Sequence, residues 1–231
     1  MSGVRALILD AGGVLVYPLH GDWNIPARYQ ELLGDYARDL PSERWRAAST
    51  AEAAILREDV IVPDLTTELA LRKAYLAAVA VRMGWTLSEK QLQALAEDFN
   101  YNHDRYCWYD DARPWLNRWK TSTRLGMLSD AMPSFHAFTV HHKLGEIFES
   151  IVISTEIGAC KPDPRIYAAI CARMDVSPND CLFVDDRACN LAGAIDFGMR
   201  AVQMCRDGAT DWDGPKVRNF AELNDYMEGL H

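Results

Sequence analysis

Two textures of hydrophobic residues alternate along this chain. Short, nearly continuous apolar runs read as buried parallel strands, and apolar residues three and four apart read as amphipathic helices. The run VRALIL, residues 4–9, is the first strand. From about residue 17 the texture changes, and residues 26–105 carry helical patterns with no convincing strand. A helix is expected to begin at Ser42, after Pro41. Thr66 to Met83 places Leu69, Leu71, Leu76, Val79 and Met83 mostly on one face. Ser88 with Gln91 resembles a capping box ahead of Leu92, Leu95 and Phe99.

After Trp108 strands and helices alternate again. Strands are expected at 124–130, 150–155, 181–186 and 200–205, and helices at 112–120, 133–143, 164–174 and 188–198. Pro164 falls in the first turn of its helix, where a missing N–H costs nothing. Asn219 to Gly229 predicts a closing helix. This alternation implies an α/β fold, a Rossmann-like three-layer parallel sheet with helices on both faces. Its core is residues 1–16 plus 109–231, with an all-helical cap, residues 17–108, inserted after the first strand. Both connections to the cap leave from the edge where Asp10 sits, so the cap is expected to close over that edge as a lid. No repeat or low-complexity tract interrupts the pattern.

Bulk properties narrow the functional classes. The chain has 231 residues, 49% hydrophobic and 25% charged, as a soluble globular protein does. A net charge of -9 argues against nucleic-acid or anionic-membrane partners, which attract basic surfaces. No stretch approaches the ~20 apolar residues of a membrane span. The apolar run ending at Leu9 is too short for a secretory signal. None of the six cysteines forms a CxxC pair, and most lie in apolar elements, so a reduced, cytoplasmic setting is expected. Cys160 neighbours Lys161, the kind of electropositive setting that raises thiol reactivity.

Candidate chemistry collects where strands end. Asp10 follows the first strand and precedes Ala11-Gly12-Gly13, whose glycines allow a sharp turn and close approach to an anion. Ser129 ends the second strand, where a hydroxyl and nearby N–H groups can bind phosphate oxygens. Lys161 precedes a helix and can neutralise both a nucleophile and a substrate phosphate. Asp185 and Asp186 are adjacent carboxylates whose repulsion calls for a cation, and Mg2+ suits an all-oxygen set. Each feature alone is an ordinary turn or surface residue. Together they are the parts of metal-assisted phosphoryl transfer through an aspartyl ester.

These motifs, their order and the cap between the first two resemble the haloacid dehalogenase-like hydrolase superfamily over the whole chain. The stretch STEIGACKPDPRIYAAICARMDVSPNDCLFVDDRACNLAGAIDFGM is similar to the branch with sugar-phosphate phosphatases and the phosphatase domain of epoxide hydrolases. The resemblance implies that Asp10 is the nucleophile, with Ser129 and Lys161 catalytic and phosphate-binding. Gly12, Gly13, Asp130 and Asn190 complete the implied substrate-binding set. Mg2+ would be ligated by Asp10, the Gly12 carbonyl and Asp186, with Asp185 supporting the metal shell. The substrate would be a small phosphorylated metabolite, possible sugar phosphates included.

One position departs from the family pattern. Phosphatases of this family carry Asp-x-Asp, and the second aspartate does acid–base work that Gly12 cannot do. General acid–base catalysis is worth ~10²–10⁴-fold. A leaving group that needs little protonation, such as that of a sugar 1-phosphate, would compensate. So would another group, His20 or Asp22 at the cap junction. The third outcome is a non-catalytic phosphate-binding protein on the same fold. Displacement of halide from a 2-haloacid is a further alternative; that reaction needs no metal, and its enzymes lack the acidic pair. A response-regulator receiver has similar parts in a different order and no cap. The aromatic residues of the cap, Trp23, Tyr29, Tyr36, Trp45, Tyr75, Trp85, Phe99, Tyr101, Tyr106 and Trp108, are expected mostly to pack its core. His136, His141 and His142 have no metal-ligand spacing and read as surface or packing residues.

Overall fold

The computed structural model describes residues 4–56, 62–208 and 211–229. In chain order the strands are β1 (Ala6–Leu9), β2 (Val16–Pro18), β3 (Tyr106–Trp108), β4 (Arg124–Ser129), β5 (Ser150–Ile153), β6 (Cys181–Asp185), β7 (Arg200–Met204) and β8 (Lys216–Val217). The helices are α1 (Tyr29–Leu33), α2 (Glu43–Leu56), α3 (Leu65–Met83), α4 (Glu89–Tyr101), α5 (Ala112–Trp119), α6 (Phe135–His141), α7 (Ser154–Ile157), α8 (Pro164–Met174), α9 (Ala188–Asp196) and α10 (Phe220–Glu228).

The main sheet has six strands in the order β5-β4-β1-β6-β7-β8, and every pair is parallel. All four residues of β1 are fully buried, as a central strand covered on both faces requires. The register pairs Leu9 with Met127 on one side and with Val184 on the other. The sheet order therefore changes direction at β1, the kind of switch point where α/β sheets place ligands. On one face Ile166, Tyr167 and Ile170 of α8 join Leu191 and Ala194 of α9 over Ile8 and Phe183. Gly193 lets α9 approach closely: a Cβ there would lie 2.4 Å from Pro162 Cβ. β2 and β3 form a separate two-stranded sheet.

The chain divides into two compact units. The α/β unit holds residues 1–17, 108–131 and 139–231. The helical unit holds 18–107 and also takes in 132–138, a segment that the sequence pattern joins to the helix after β4.

In the helical unit α3 starts at Asp64, whose carboxylate accepts from the Thr67 N–H, and stops at Gly84 in the left-handed region. α4 opens on the capping box expected of Ser88 and Gln91. Trp45, Tyr75 and Phe99, each at most 1% exposed, anchor the core of this unit. The Trp45 and Trp85 rings stack 6.1 Å apart, and their indole N–H groups donate to Asp22 and Asp39. Most cap aromatics are thus packing residues, while Trp23 and Tyr101 are exposed. No helix of the described residues is long and apolar enough to cross a membrane.

Candidate active site

The backbone brings Asp10 to Asp185. Asp10 continues β1 by donating its N–H to the Val184 carbonyl at 2.9 Å, so the residues after Leu9 and after Val184 are neighbours. Asp10, at 7% exposure, has its Oδ1 fixed by the Ala11 N–H at 2.7 Å. The loop then folds back on itself, with the Leu15 and Val16 N–H groups donating to the Ala11 carbonyl and the Gly13 N–H to Val16. Gly13 has φ +70°, and a Cβ there would lie 2.3 Å from Asp186 Oδ2. Both the turn and the approach of Asp186 therefore need glycine at this position.

Lys161 is the hub. Its ammonium lies 2.7 Å from Asp185 Oδ2, 3.0 Å from Asp10 Oδ1 and 3.3 Å from the Leu128 carbonyl. Its backbone N–H donates to Asp130 Oδ1 at 3.0 Å, so Asp130 positions the lysine. Ser129, buried at the end of β4, precedes Asp130 directly. Asn190, expected to contact the substrate, donates its amide hydrogens to Asp185, at 3.0 and 3.1 Å. Its own carbonyl accepts from the Tyr167 hydroxyl at 2.7 Å. The Arg187 N–H also donates to Asp185. Asp185 is completely buried with all of these partners, which orients it toward the lysine.

Charge is unbalanced here. Asp10, Asp185 and Asp186 each place an oxygen within 4.8 Å of the others. The Lys161 ammonium contacts two of these three carboxylates, and the Arg187 charge also acts on the third, Asp186. Burial raises the Asp10 carboxyl well above its usual range, with Lys161 opposing and Asp185 and Asp186 adding to the rise. Burial, then Asp185, pushes Asp186 up to about 6. Burial alone would lower Lys161, but Asp10 and Asp185 more than offset it and hold the ammonium charged. A hard divalent cation fits this all-oxygen set and would relieve the excess negative charge.

Two supporting residues escaped the sequence reading. The Ser154 hydroxyl braces the loop after β4, accepting from the Ala131 N–H at 3.1 Å. Strand β5 stops at Ile153, and Ser154 and Thr155 belong to α7 rather than to the expected strand. Arg206 donates to the Val14 carbonyl at 2.7 Å and to both oxygens of Asp111 at 2.9 Å. No local pattern signals this contact, because it joins positions 192 residues apart. The two candidate substitutes for the missing acid–base group have local partners. His20 Nε2 lies 3.0 Å from the Ala27 carbonyl, and Asp22 accepts from Asn24 and Trp45. The six cysteines form no disulfide, and the Cys171 and Cys181 sulfurs lie 4.0 Å apart as thiols.

Comparison with known proteins gives relatives of two chemistries. Phosphatase MT3486 of Mycobacterium tuberculosis (strain CDC 1551 / Oshkosh) is 36% identical over 124 residues, covering 52% of this chain and 56% of the phosphatase. (S)-2-haloacid dehalogenase 4A of Burkholderia cepacia is 35% identical over 88 residues, 38% of this chain and 36% of that enzyme. The matched region thus spans about half of one relative's length and about a third of the other's. L-2-haloacid dehalogenase from Xanthobacter autotrophicus, solved with chloropropionic acid covalently bound, superposes with a TM-score of 0.70 at 17% identity. That match covers 99% of this chain and 100% of the other, and shows a common fold. A family model described as haloacid dehalogenase-like hydrolase matches residues 4–198, from β1 through α9, and this chain belongs to that family.

Proposed function

We propose that this protein is a Mg2+-dependent phosphomonoesterase that works through an aspartyl-phosphate on a small phosphorylated metabolite. The observation that carries this reading is the grouping of the Asp10, Asp185 and Asp186 carboxylates, with the Lys161 ammonium against the first two. A 2-haloacid dehalogenase would have no use for that surplus of carboxylates. The similarity to a phosphatase over 52% of the chain supports the same choice.

Asp10, the Gly12 carbonyl and Asp186 would hold Mg2+, with Asp185 steadied behind them by Asn190 and Arg187. The ion would offset negative charge on the phosphoryl oxygens. An Asp10 carboxylate oxygen attacks phosphorus in line, the P–O ester bond breaks, and the leaving oxygen takes its proton from water to depart as the alcohol. Lys161 and Ser129 stabilise the charge on the transferring group. Water then cleaves the acyl phosphate and restores Asp10. Gly12 supplies no proton to the leaving group, and His20 and Asp22 are engaged within the helical unit. Esters with good leaving groups, sugar 1-phosphates among them, are therefore the favoured substrates. In this reading the α/β unit performs the chemistry and the helical unit selects the substrate. Six thiols without a disulfide fit a reducing, cytoplasmic setting.

The test is phosphate release from a panel of sugar 1-phosphates, sugar 6-phosphates and other phosphomonoesters, with and without Mg2+. Mg2+-dependent release that falls by about 10⁴-fold or more in Asp10→Asn is the expected result. Release no greater than that of Asp10→Asn, together with halide release from 2-haloacids, would replace this reading with dehalogenation. Phosphate binding without turnover of any ester would leave a binding protein.

A further inference from the structure

The helical unit buries two arginines against one aromatic ring. Arg72 on α3 and Arg105 just before β3 are 7% and 8% exposed. Their guanidinium carbons lie 4.8 and 5.2 Å from the centre of the Phe99 ring. Arg105 also lies over Tyr106 at 4.6 Å and donates to the Phe99 carbonyl at 3.2 Å. The buried Nε of Arg72 meets no acceptor among the described residues.

The carboxylate one turn earlier on the same helix, Glu68, attracts Arg72 but leaves its Nε without an acceptor. Glu68 is fully buried, and its two oxygens already accept from the Ser134 N–H at 2.8 Å and the Ser134 hydroxyl at 2.7 Å. Asp98, likewise buried, accepts from Arg28 and Asn102. Stacking on the Phe99 ring favours both desolvated cations without supplying a hydrogen-bond acceptor. Burial, and then the charge of Arg105, push Arg72 down to about 10, with Glu68 opposing. Next along α4, Asn100 is 1% exposed, and neither atom of its amide has a partner.

We propose that Arg72 and Arg105 form a binding site for a small oxyanion, a phosphate or carboxylate group, within the helical unit. A planar guanidinium presents paired N–H donors matched to either group. A bound anion supplies the acceptor that Arg72 Nε lacks and cancels the repulsion between two buried cations. The anion is a free ion or the acidic group of a metabolite. This site stands on the geometry of the helical unit alone and does not depend on the phosphatase reading.

Crystals of the full chain soaked in selenate locate bound oxyanions by anomalous scattering. The expected result is a selenium peak in contact with both guanidinium groups. Peaks confined to other places overturn the proposal. In solution, Arg72→Met keeps the length of the side chain and removes the charge. Without added anion this variant is expected to melt at or above the wild-type temperature, because a buried charge with an unbonded Nε is gone. It is also expected to lose part of the melting-temperature rise that inorganic phosphate or acetate gives the wild type. A greater loss with phosphate than with acetate marks a phosphate site, and the reverse a carboxylate site. A variant that melts lower and keeps the whole anion response makes Arg72 a structural residue and overturns the proposal.

Discussion

Lys161 Nζ stands 2.7 Å from Asp185 Oδ2, and neither side chain is more than 1% exposed. The pair is shut away from water, so its members hold each other in place. Breaking one partner of such a pair leaves a buried charge uncompensated, at a cost of ~3–5 kcal/mol. Asp185→Asn keeps the volume of the side chain and removes the charge. Because Asp10 still faces the lysine at 3.0 Å, the lower end of that range is expected. Urea denaturation at neutral pH measures it, and a loss well under 1 kcal/mol would contradict the role given to this pair.

Gly13→Ala tests the loop after Asp10. The left-handed backbone at φ +70° costs an alanine ~1–2 kcal/mol. The larger effect is steric, since the new methyl would sit 2.3 Å from Asp186 Oδ2 and force that carboxylate away. Misplacement of a catalytic group by about 1 Å costs ~10²-fold in rate. Steady-state kinetics over a Mg2+ series are expected to show a loss of about that size in kcat. They should also show a raised Mg2+ requirement. An alanine variant with normal kcat and normal Mg2+ dependence would remove Asp186 from the metal site.

The excess of carboxylates predicts a pH dependence with a definite sign. Burial, then the charge of Asp185, pushes the Asp186 carboxyl up to about 6 in the folded protein from an ordinary value of 3.8. The folded chain therefore holds a proton that the unfolded chain has released. The stability this gives is complete below about pH 4 and is lost as pH climbs through about 6. Asp10, raised by burial, adds in the same direction. In EDTA the melting temperature of the wild type is expected to fall across this window relative to Asp186→Asn. The stabilisation that Mg2+ gives the wild type is expected to grow over the same window, because binding needs the ionised carboxylates. Parallel melting curves for the two proteins in EDTA would contradict the argument.

Much of the α/β unit was readable because its chemistry follows its hydrophobic pattern. β1, β4 and β6 are buried on both faces, so each reads as an apolar run, and Asp10, Ser129 and Asp185 stand at or just beyond the ends of those runs. Ser88 and Gln91 signalled the start of α4 because a capping box is local. The contacts of Asn190 were not readable. Its place near the site follows from α9, but the bonds of its amide to Asp185 depend on three-dimensional geometry. Ser154 was hidden for a related reason. Ser150 to Thr155 reads as one β-prone run, yet the chain turns into α7 at Ser154, where the hydroxyl reaches the Ala131 backbone. Segment 132–138 follows β4 in sequence but groups with the helical unit, where Ser134 caps the buried Glu68 carboxylate. Pattern reading has no access to such long-range pairing.

Arg206 gives the last prediction. It lies beyond β7, far in sequence from any motif, yet its guanidinium donates to the Val14 carbonyl at 2.7 Å. The same group bonds both oxygens of Asp111 and stacks over Tyr109 at 4.1 Å, and Asp111 in turn accepts from the Phe220 N–H at 2.9 Å. Arg206 therefore ties the Asp10–Val16 loop to α10 and to the start of α5. Arg206→Met keeps much of the stacking and removes the donors. Hydrogen bonds to a charged group are worth ~1.5–3 kcal/mol, so a stability loss of that order is expected. If the arginine only braces the fold, kcat and Mg2+ affinity should stay normal at temperatures where the variant is folded. If it positions the nucleophile loop, kcat should fall by about tenfold while KM for the ester changes little. Arg206→Lys, which can still reach for the Val14 carbonyl but cannot bind Asp111 through two donors, should fall between the two. Comparing kcat with melting temperature across the three proteins separates positioning from bracing, because only positioning lowers turnover below the unfolding range.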